Sequence, residues 1–515
     1  MNRREFLKVT GVTTAVTGAA LASSSKKSFA VELGKEHDQF PLEITKDFKG
    51  FNQKNHVFFR TFWDKEPVDK YISDRFGHKT FTEPGMIFNA VHEGIIEGTN
   101  AGKAGFRPID SALDKAAWSV NKNFATNSET GIRNTLIQTH PINPQTGEKM
   151  KDMPVFVESL YSWNNSKVDA MLAHGKESYK FKDSKEASKH IKKAAKFLGA
   201  DLVGITPYNE NTKRWTYTEW AVPNVKPFTM PDGTVEYMPF DPFKFEKGEY
   251  ETFGVKTVKP DFKREAGFEP KSVIVLAFEM DYDGMKTAPT LVSSSAAGLK
   301  YSNMAETAHK VAEFLRNLGY KAAPCGNDTA LSVPLAIEAG LGEGSRMGMI
   351  VTEKYGPRVR LAKVYTDLEI QPDKPITFGV KEFCNVCMKC ADACPSKAIC
   401  HEPAQVIKEG MEFDTGKITK STMLGVEKWF VNGERCVSFW AYNGGDCGTC
   451  IAVCPYNKIN EWHHDLSKLM TLTPFKPLLR SMDEMFGYGG PIEPEVRLES
   501  QYLKDAIDDF WNKIQ

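Results

Sequence analysis

The chain lacks an excess of charge of either sign. Its 515 residues carry 66 lysines and arginines against 66 aspartates and glutamates. Nonspecific binding of nucleic acid depends on a basic field that neutralises phosphates, so this balance argues against a nucleic-acid partner. At this length the chain has room for about two to four domains and a large hydrophobic core.

Long apolar runs are also missing. No stretch after residue 30 has the roughly 20 apolar residues that a membrane-spanning helix needs, so any membrane contact is expected to come through a partner. The N-terminus has RREFLK from Arg3, followed by a mild apolar run that is too short and too rich in Thr and Gly to span a bilayer. This pattern predicts a twin-arginine export signal over residues 1–30, cleaved after Ala22 or Ala30.

Cysteine is scarce outside one region. Nine of the ten cysteines lie between residues 384 and 454, and eight of these nine fall into two motifs. The two cysteines outside the motifs, Cys325 and Cys400, are predicted to be ordinary buried thiols. Ten cysteines in an exported protein would usually indicate disulfides. The spacing of the eight indicates a different chemistry.

These eight cysteines form two motifs that suit iron–sulfur clusters. The first is C-x₂-C-x₂-C-x₃-C-P from Cys384, and the second is Cys436, ten further residues, then C-x₂-C-x₃-C-P from Cys447. Gaps of two residues let one turn of backbone hold three corners of a cubic cluster. Zinc sites use four ligands and have no need of the third cysteine or the Cys-Pro, and disulfides need no such repeat. The long gap after Cys436 departs from the regular motif.

The two motifs resemble those of bacterial two-cluster ferredoxins. In those proteins the fourth cysteine of each motif crosses to the other cluster. The resemblance implies two sets of four thiolate ligands. One 4Fe–4S cluster is expected to be held by Cys384, Cys387, Cys390 and Cys454, and the other by Cys394, Cys436, Cys447 and Cys450.

From about Asp183 the hydrophobic pattern predicts an α/β layer. Asp183 and Glu186 favour a capping box at the start of a helix that ends near Gly199, and ADLVGI then predicts a strand. A second unit has VIVLAFEM as a strand, a Ser/Gly-rich turn, a helix from about Ser302 to Leu318, and the short strand YKAAP.

Downstream, a glycine-rich segment, GLGEGSRMG from Gly340, could suggest a dinucleotide site. It follows a predicted helix, VPLAIEA, whereas a dinucleotide motif lies between a strand and a helix, so NAD is rejected. Such glycines would still let the backbone approach a large flat ligand. The segment after them predicts two strands around a turn at Tyr355–Arg358.

The chain as a whole is similar to the respiratory corrinoid-dependent reductive dehalogenases. The similarity lies in the export signal, the run from AGLGEGSRMG to KVYTDL, PDKPITFGVKEFC and the cluster motifs. It is closest to the tetrachloroethene-reducing enzymes in ADLVGI, YSNMAE, PCGNDT and SFWAYNGG. The resemblance implies an α+β protein in which a nitroreductase-like α/β domain holds a base-off corrinoid and precedes a two-cluster ferredoxin-like domain. The absence of D-x-H-x-x-G suits a corrinoid without a histidine ligand.

Together, pattern and resemblance predict five regions. The segment before the α/β layer is rich in Pro, Gly and aromatic residues and is expected to be an irregular covering layer with short helices. The regions are the signal peptide (1–30), the N-terminal covering region (31–180), the corrinoid-binding nitroreductase-like domain (181–375), the two-cluster ferredoxin-like domain (376–466) and a C-terminal extension (467–515).

The resemblance also implies active-site residues. The Tyr of Y-S-x-M falls on Tyr301, which resembles the family's proton donor. Arg360, in G-P-x-V-R-L, and Asn327, after the A-x-P turn, correspond to the polar partners of that tyrosine. Trp118 in A-A-W and Trp440 in F-W correspond to aromatic residues of the cofactor and substrate pocket.

The dehalogenation reaction explains why a tyrosine and an arginine would be needed together. Replacing C–Cl by C–H needs two electrons and a proton, and a free tyrosine, with a pKa near 10, is a weak acid. A guanidinium and a helix N-terminus would favour the phenolate, and Tyr301 directly precedes the predicted start of a helix. Position alone would make Tyr301 a core or helix-staple residue, Arg360 a surface or ion-paired residue and Asn327 a turn residue.

The expected function is respiratory reductive dehalogenation, with chlorinated ethenes favoured over chlorinated alkanes or aromatics. The enzyme is expected on the outer face of the cytoplasmic membrane, with a small integral-membrane anchor protein and a quinol-linked electron donor as partners. The oligomeric state is left open, with a homodimer as one outcome. Because the twin-arginine route exports folded proteins, the clusters would be inserted before export.

Two other functions stay open. A cobalamin- and cluster-dependent reductase of the epoxyqueuosine type shares the glycine-rich and G-P-x-V-R-L segments, but acts on transfer RNA in the cytoplasm. The export signal and the neutral charge argue against it. A non-enzymatic electron carrier would not need the large N-terminal region. The pair His463–His464 is expected to be solvated or to cap a helix.

Overall fold

The computed structural model describes residues 35–60, 63–64, 99–125, 135–139, 153–157, 159–163, 177–223, 228–229, 235–236, 255–458 and 476–513. The export signal with its two cleavage sites and the pair His463–His464 lie outside the described residues. These remain predictions, as do the boundaries of the five regions. Among the described helices, none has both the length and the apolar composition needed to cross a lipid bilayer.

The strands of the described residues are mostly short, and the two longest have eight residues each. They are β1 Lys35–Glu36, β2 Thr135–Thr139, β3 Met153–Val157, β4 Leu202–Pro207, β5 Trp220–Pro223, β6 Phe228–Thr229, β7 Val235–Glu236, β8 Val255–Val258, β9 Ser272–Glu279, β10 Ala322–Cys325, β11 Glu343–Gly344, β12 Ile350–Val351, β13 Val359–Thr366, β14 Ile376–Thr377, β15 Gln405–Val406, β16 Glu412–Phe413, β17 Gly416–Lys417 and β18 Glu427–Lys428.

The helices range from single turns to one of 27 residues. A 3₁₀ turn spans Gln53–Asn55. The α-helices are α1 Val57–Arg60, α2 Pro108–Phe124, α3 Ser184–Phe197, α4 Glu210–Lys213, α5 Phe262–Ala266, α6 Tyr282–Lys286, α7 Leu291–Asn317, α8 Ser332–Glu338, α9 Val380–Cys387, α10 Lys389–Asp392, α11 Gly433–Asn443, α12 Thr449–Ala452, α13 Lys476–Met485, α14 Pro494–Arg497 and α15 Gln501–Asn512.

The central sheet has four strands in the order β10-β13-β9-β4, and every neighbouring pair is antiparallel. Both faces of β9 are buried because its alternate residues enter two different hydrophobic clusters. Val273 and Val275 belong to one cluster, and Ile274 and Leu276 belong to the other. This sheet buried on both sides, with helices packed on it, agrees with the predicted mixed α and β fold.

One face of the sheet carries α3 and α7. Ile191 of α3 and Ala308 and Leu315 of α7 pack in the same cluster as Ile274. The predicted start of α3 is confirmed, since the side chain of Asp183 accepts a hydrogen bond from Glu186 N at 2.7 Å. The opposite face is covered by α8 and by aromatic residues, including Trp215 and Trp220.

The predicted start of the long helix is wrong. The segment LVSSSAAG was interpreted as a turn, but α7 begins at Leu291, eleven residues before Ser302. Two serines bond to backbone carbonyls inside the helix: Ser293 Oγ to Thr290 O at 2.8 Å and Ser295 Oγ to Leu291 O at 2.7 Å. These bonds satisfy hydroxyls that would otherwise compete with the helix. The end of the helix near Leu318 is confirmed.

The N-terminal region contains more regular structure than expected. Instead of only short helices it has α2, which spans 17 residues and has Pro108 at its first position. The helix packs along α7, and its Trp118 lies over Gly298, whose missing side chain leaves room for the indole. This contact places α2 beside the residues predicted for catalysis.

Candidate active site and cluster-binding cysteines

Tyr301 lies in the middle of α7, half-buried, with three of the predicted residues around it. The ring of Trp118 stacks on its ring at 4.9 Å between centroids and 25° between planes. The guanidinium carbon of Arg360 lies 5.2 Å from the ring centroid. Asn327 Nδ2 donates a hydrogen bond to the phenolic oxygen at 3.2 Å. The structure therefore brings together four of the five residues predicted from the resemblance.

Each of these neighbours comes from a different element. Trp118 is presented by α2, with its Nε1 3.5 Å from Ser294 Oγ of α7. Arg360 lies near the start of β13, on the sheet face that α7 covers. Asn327 follows the end of β10. Helix and sheet packing therefore decide the separation of these groups.

The expected role of a helix N-terminus beside Tyr301 is wrong. Ten residues separate Tyr301 from the first residue of α7, and the favourable field of a helix terminus fades within one turn. The guanidinium of Arg360 and the amide of Asn327 are the groups that can stabilise a negative charge on this oxygen.

The ring contact described for Trp440 is not with Tyr301 or its three neighbours. It is half-buried on α11, and its ring centroid lies 5.6 Å from that of Phe58 in α1. The C-terminal end of the same helix lies close to the start of α7, because Asn443 Nδ2 donates to Pro289 O at 2.7 Å. The place of Trp440 in a ligand pocket stays a prediction.

Two buried carboxyl groups beside the site were missed by sequence reasoning. Burial raises the pKa of Asp114 to about 6, although bonds with Ser294 and Trp118 oppose this rise. Burial raises the pKa of Asp446 to about 7, against the opposing effect of Arg360. Asp114 lies in a helix with no motif around it and gives no sequence signal. The position of Asp446 directly before Cys447 could have been noticed.

Several buried polar atoms around Tyr301 have no hydrogen-bond partner among the described residues. They are Asp114 Oδ1, Tyr161 Oη, Arg360 Nε and Asp446 Oδ1. Buried polar atoms without partners are costly, so such a concentration indicates a place where a further polar group binds. The edge amides of a corrin ring would supply donors and acceptors for these atoms. The residues present therefore fit a corrinoid.

The eight motif cysteines gather into two groups of four. In the first, the thiol of Cys454 interacts electrostatically with Cys384 and Cys387, and Cys390 interacts with all three. In the second, Cys436 interacts with Cys394, Cys447 and Cys450. These contacts agree with the crossing of one cysteine from each motif that the ferredoxin resemblance implies, and the two ligand sets stay a prediction.

The environment of these thiols suits metal clusters. Burial raises the pKa of Cys384 to about 12 and the pKa values of Cys387 and Cys447 to about 11. Four crowded thiolates in a buried site repel one another and need cations to be stable. An iron–sulfur cube provides that charge, and a set of four thiolates matches its ligand requirement.

The glycine-rich loop serves the first cysteine group. Arg346 from this loop donates to Cys384 O at 3.0 Å and to Cys400 O at 2.6 Å. Arg346 and Met347 line one small cavity together with the four cysteines of this group. From the C-terminal region, Arg480 donates to Cys387 O at 2.7 Å. The loop therefore holds the cysteine-rich part of the chain.

Comparisons with known proteins bear on the cysteine region and on the chain as a whole. The sequence profile of the 4Fe-4S dicluster domain family matches residues 383–458. Tetrachloroethene reductive dehalogenase from Dehalobacter restrictus (strain DSM 9455 / PER-K23) is 41% identical over 99% of this chain and 98% of its own length. Epoxyqueuosine reductase from Bacillus subtilis (strain 168) is 29% identical, but over 33% of this chain and 45% of its own.

A solved reductive dehalogenase, described as suggesting a mechanism for B12-dependent dehalogenation, has a similar fold. It aligns with a TM-score of 0.55 and 19% identity over 90% of this chain, which spans 50% of the length of that structure's chain. The fold, the two cysteine groups and the full-length similarity all support membership of one family. The chain belongs to the reductive dehalogenases, oxidoreductases that act on carbon–halogen bonds.

Proposed function

We propose that this protein is a respiratory enzyme that replaces C–Cl by C–H in tetrachloroethene or trichloroethene. The observation that carries the proposal is the contact of Tyr301 with Trp118, Arg360 and Asn327. The reaction consumes two electrons and one proton for each chloride released. The substrate class is supported by the full-length similarity to proteins named tetrachloroethene reductive dehalogenase.

The proton comes from Tyr301. When the phenol gives up its proton, the negative charge lies on an oxygen that already accepts a hydrogen bond from Asn327. Arg360 is permanently charged and lies against the same ring. Both neighbours stabilise the phenolate more than the phenol, which is the differential interaction that acid catalysis needs. The ring of Trp118 shields one side of the phenol from water.

The cofactors are two 4Fe–4S clusters and a base-off corrinoid in a nitroreductase-like domain. Bound beside Tyr301, a corrinoid supplies a strongly reducing cobalt centre that reacts with the chlorinated carbon or its halogen. The buried polar atoms of Asp114, Tyr161, Arg360 and Asp446 would hold its polar edge. Trp118 and Trp440 are the aromatic residues expected in this pocket.

The two cysteine groups hold the clusters. Cys384, Cys387, Cys390 and Cys454 ligate the first, and Cys394, Cys436, Cys447 and Cys450 ligate the second. Asp446 interacts with Arg360 and directly precedes Cys447, so the second group adjoins the Tyr301 site. Clusters held by the two groups would supply electrons to the site, with the second group the nearer to Tyr301.

The cellular setting follows from the N-terminal signal. A twin-arginine signal would export the folded, cluster-loaded protein to the outer face of the cytoplasmic membrane. A small integral-membrane protein would anchor it there, and quinol would supply electrons. The epoxyqueuosine reductase alternative is disfavoured because that similarity covers only 33% of the chain.

The decisive experiment is anaerobic purification with metal analysis, followed by chloride release driven by reduced methyl viologen. We expect about one cobalt and about eight irons per chain, and chloride from tetrachloroethene and trichloroethene. Chlorinated alkanes and phenols are the comparison substrates, and chloride from those alone would overturn the substrate assignment. Iron without cobalt, and no chloride from any compound, would indicate an electron carrier instead.

A further inference from the structure

A chain of hydrogen bonds reaches Tyr301 from the opposite face of the central sheet. Lys363 Nζ donates to Ser332 Oγ at 2.9 Å, and Ser332 Oγ donates to Asn327 Oδ1 at 2.9 Å. Asn327 Nδ2 then donates to the phenolic oxygen of Tyr301 at 3.2 Å. Two side chains, Ser332 and Asn327, thus connect a buried lysine to the proposed proton donor.

We propose that Lys363 and Ser332 are positioning residues that fix Asn327 as a hydrogen-bond donor to Tyr301. The inference rests on the proposed role of Tyr301 as the acid. Neither residue touches substrate in this proposal, since both act through the orientation of one amide group.

The direction of each hydrogen bond follows from the chemistry of its end groups. A lysine ammonium has three donors and no acceptor, so the oxygen of Ser332 accepts from Lys363. The hydroxyl proton of Ser332 is then free to point at Asn327, which must offer its carbonyl oxygen. The amide nitrogen consequently faces Tyr301. A reversed amide would leave the hydroxyl proton of Ser332 without this acceptor.

This orientation matters for proton transfer. Because the phenolic oxygen accepts a bond from Asn327, the phenolic proton cannot be donated to that amide and is available to the pocket. After transfer, the same bond becomes a charge-assisted bond to the phenolate and strengthens. With the amide reversed, a carbonyl oxygen would hold the proton on Tyr301 and repel the anion.

The position of Lys363 in the sheet explains its hydrogen bond to Ser332. On β13, Lys363 and Arg360 are three residues apart and therefore lie on opposite faces of the sheet. Lys363 is 0% exposed, pairs across the sheet with Cys325, and also donates to the backbone oxygen of Gly326. A lysine is rarely buried so completely unless its ammonium group has hydrogen-bond partners. It reaches Asn327 around the end of β10.

The loop that carries Asn327 is also held by bonds that do not involve Ser332. The backbone oxygens of residues 327, 328 and 329 accept bonds from Tyr217 at 3.3 Å, Gln53 at 2.7 Å and Trp220 at 3.0 Å. Removing the hydroxyl of Ser332 should therefore free the amide to rotate and leave the loop in place. This makes Ser332 the appropriate residue to change.

The test compares Ser332→Ala with Ser332→Thr in the full-length enzyme, purified anaerobically with its cofactors. For Ser332→Ala we expect kcat for chloride release to fall about tenfold or more, with KM little changed. The alkaline limb of the pH–rate profile should move to higher pH, because the phenolate loses a donor. Ser332→Thr keeps a hydroxyl and should retain the rate and profile. The charged and titratable groups near Tyr301 are unchanged in both variants. They are Arg360, Tyr161, Asp114 and Asp446.

A measurement without turnover completes the test. In enzyme labelled with 3-fluorotyrosine, the fluorine signal of residue 301, identified by its absence from Tyr301→Phe, should shift in Ser332→Ala but not in Ser332→Thr. Ser178→Ala is the matched control, since its hydroxyl bonds to Gly319 O elsewhere. Lys363→Met should show the same shift as Ser332→Ala.

Two outcomes would overturn the proposal and are distinguishable from each other. If Tyr301→Phe is inactive while Ser332→Ala keeps the normal rate, profile and fluorine signal, the positioning role is wrong and the proposed acid stands. If Tyr301→Phe itself turns over normally, the proposed acid is wrong, and the inference fails with it.

Discussion

At the scale of single residues, the proposed chemistry depends on the groups that surround the phenol of Tyr301. Nothing in the helix around Tyr301 sets this tyrosine apart. Its distinctive surroundings come from Trp118, Arg360 and Asn327, which contact it from other elements. Sequence resemblance could name these residues because their local motifs are distinctive. It could not give Lys363 and Ser332 a role, because their contribution depends on the register between β10 and β13.

Removal of the phenolic hydroxyl is the direct test of the proposed acid. Tyr301→Phe keeps the ring that stacks on Trp118, so clusters and corrinoid should be retained. We expect turnover to fall by about 10²–10⁴-fold, the usual contribution of a positioned acid. The measurement is chloride release at matched iron and cobalt content. Near-normal turnover would remove Tyr301 from the mechanism.

Asp114 should make stability depend on pH. Its pKa is raised by burial to about 6 from 3.8, so the folded state binds the proton more tightly than the unfolded state. Stability should therefore fall as pH rises through the interval between these values, by at most about 3 kcal/mol. Asp114→Asn should raise the unfolding temperature at pH 7.5 and have little effect near pH 4.

A control separates this effect from a general change in charge. Asp505 is exposed on α15, so Asp505→Asn should leave the unfolding temperature nearly unchanged at both pH values. Equal responses of the two variants at pH 7.5 would mean that the burial of Asp114 does not govern its contribution. Differential scanning calorimetry under anaerobic conditions provides the measurement.

At the scale of elements, α7 decides the geometry of the site. The sequence predicted where this helix ends, because Gly319 follows it, but not where it begins. The segment SSSAAG has the composition of a turn, and the packing of small side chains against α2 makes it helical. Local composition could not reveal that partner, which lies far away in the sequence.

The contact between α2 and α7 can be tested by adding one methyl group at Gly298. A Cβ on Gly298 would lie 2.5 Å from Cδ1 and Nε1 of Trp118. Gly298→Ala should therefore displace the indole from Tyr301, reduce turnover and destabilise the protein by roughly 1–3 kcal/mol. Iron content should stay at the wild-type value, because the cysteine groups are not involved.

Gly433→Ala is the matched comparison in another helix. A Cβ there would lie 3.5 Å from Val57 Cβ, which is an ordinary contact. We expect no loss of turnover, and stability within about 0.5 kcal/mol of wild type or slightly above it. Thermal unfolding and chloride release measured together would distinguish the two variants. If Gly298→Ala behaves like Gly433→Ala, the space beside Trp118 is not limiting.

At the scale of the whole molecule, the two cysteine motifs were the most predictable feature. Their spacing is set by the geometry of the cluster and needs little from the rest of the fold. The exchange of Cys394 and Cys454 between groups followed from resemblance alone. The support from Arg346 and Arg480 could not be predicted, since both reach the cysteines by tertiary contacts.

Double substitutions should reveal this exchange. Cys454→Ser should lower iron from about eight to about four per chain, because one cluster loses a ligand. Adding Cys390→Ser, in the same group, should remove little more iron, whereas adding Cys450→Ser, in the other group, should remove nearly all of it. The opposite pattern would mean that each motif holds its own cluster. Cys400→Ser is the control and should keep the full iron content.

The exchange of cysteines between motifs also sets an order for the biosynthesis of the protein. The second group of four thiols is complete only when the ribosome has passed residue 450, and the first only when it has passed residue 454 of 515. A nascent chain therefore offers at most three thiols of the first group, and iron–sulfur insertion can finish only when translation is nearly over. The proposed export signal at the N-terminus would emerge long before that point. On this proposal, its engagement with the export machinery must be delayed until the last cysteine has been made and the clusters inserted.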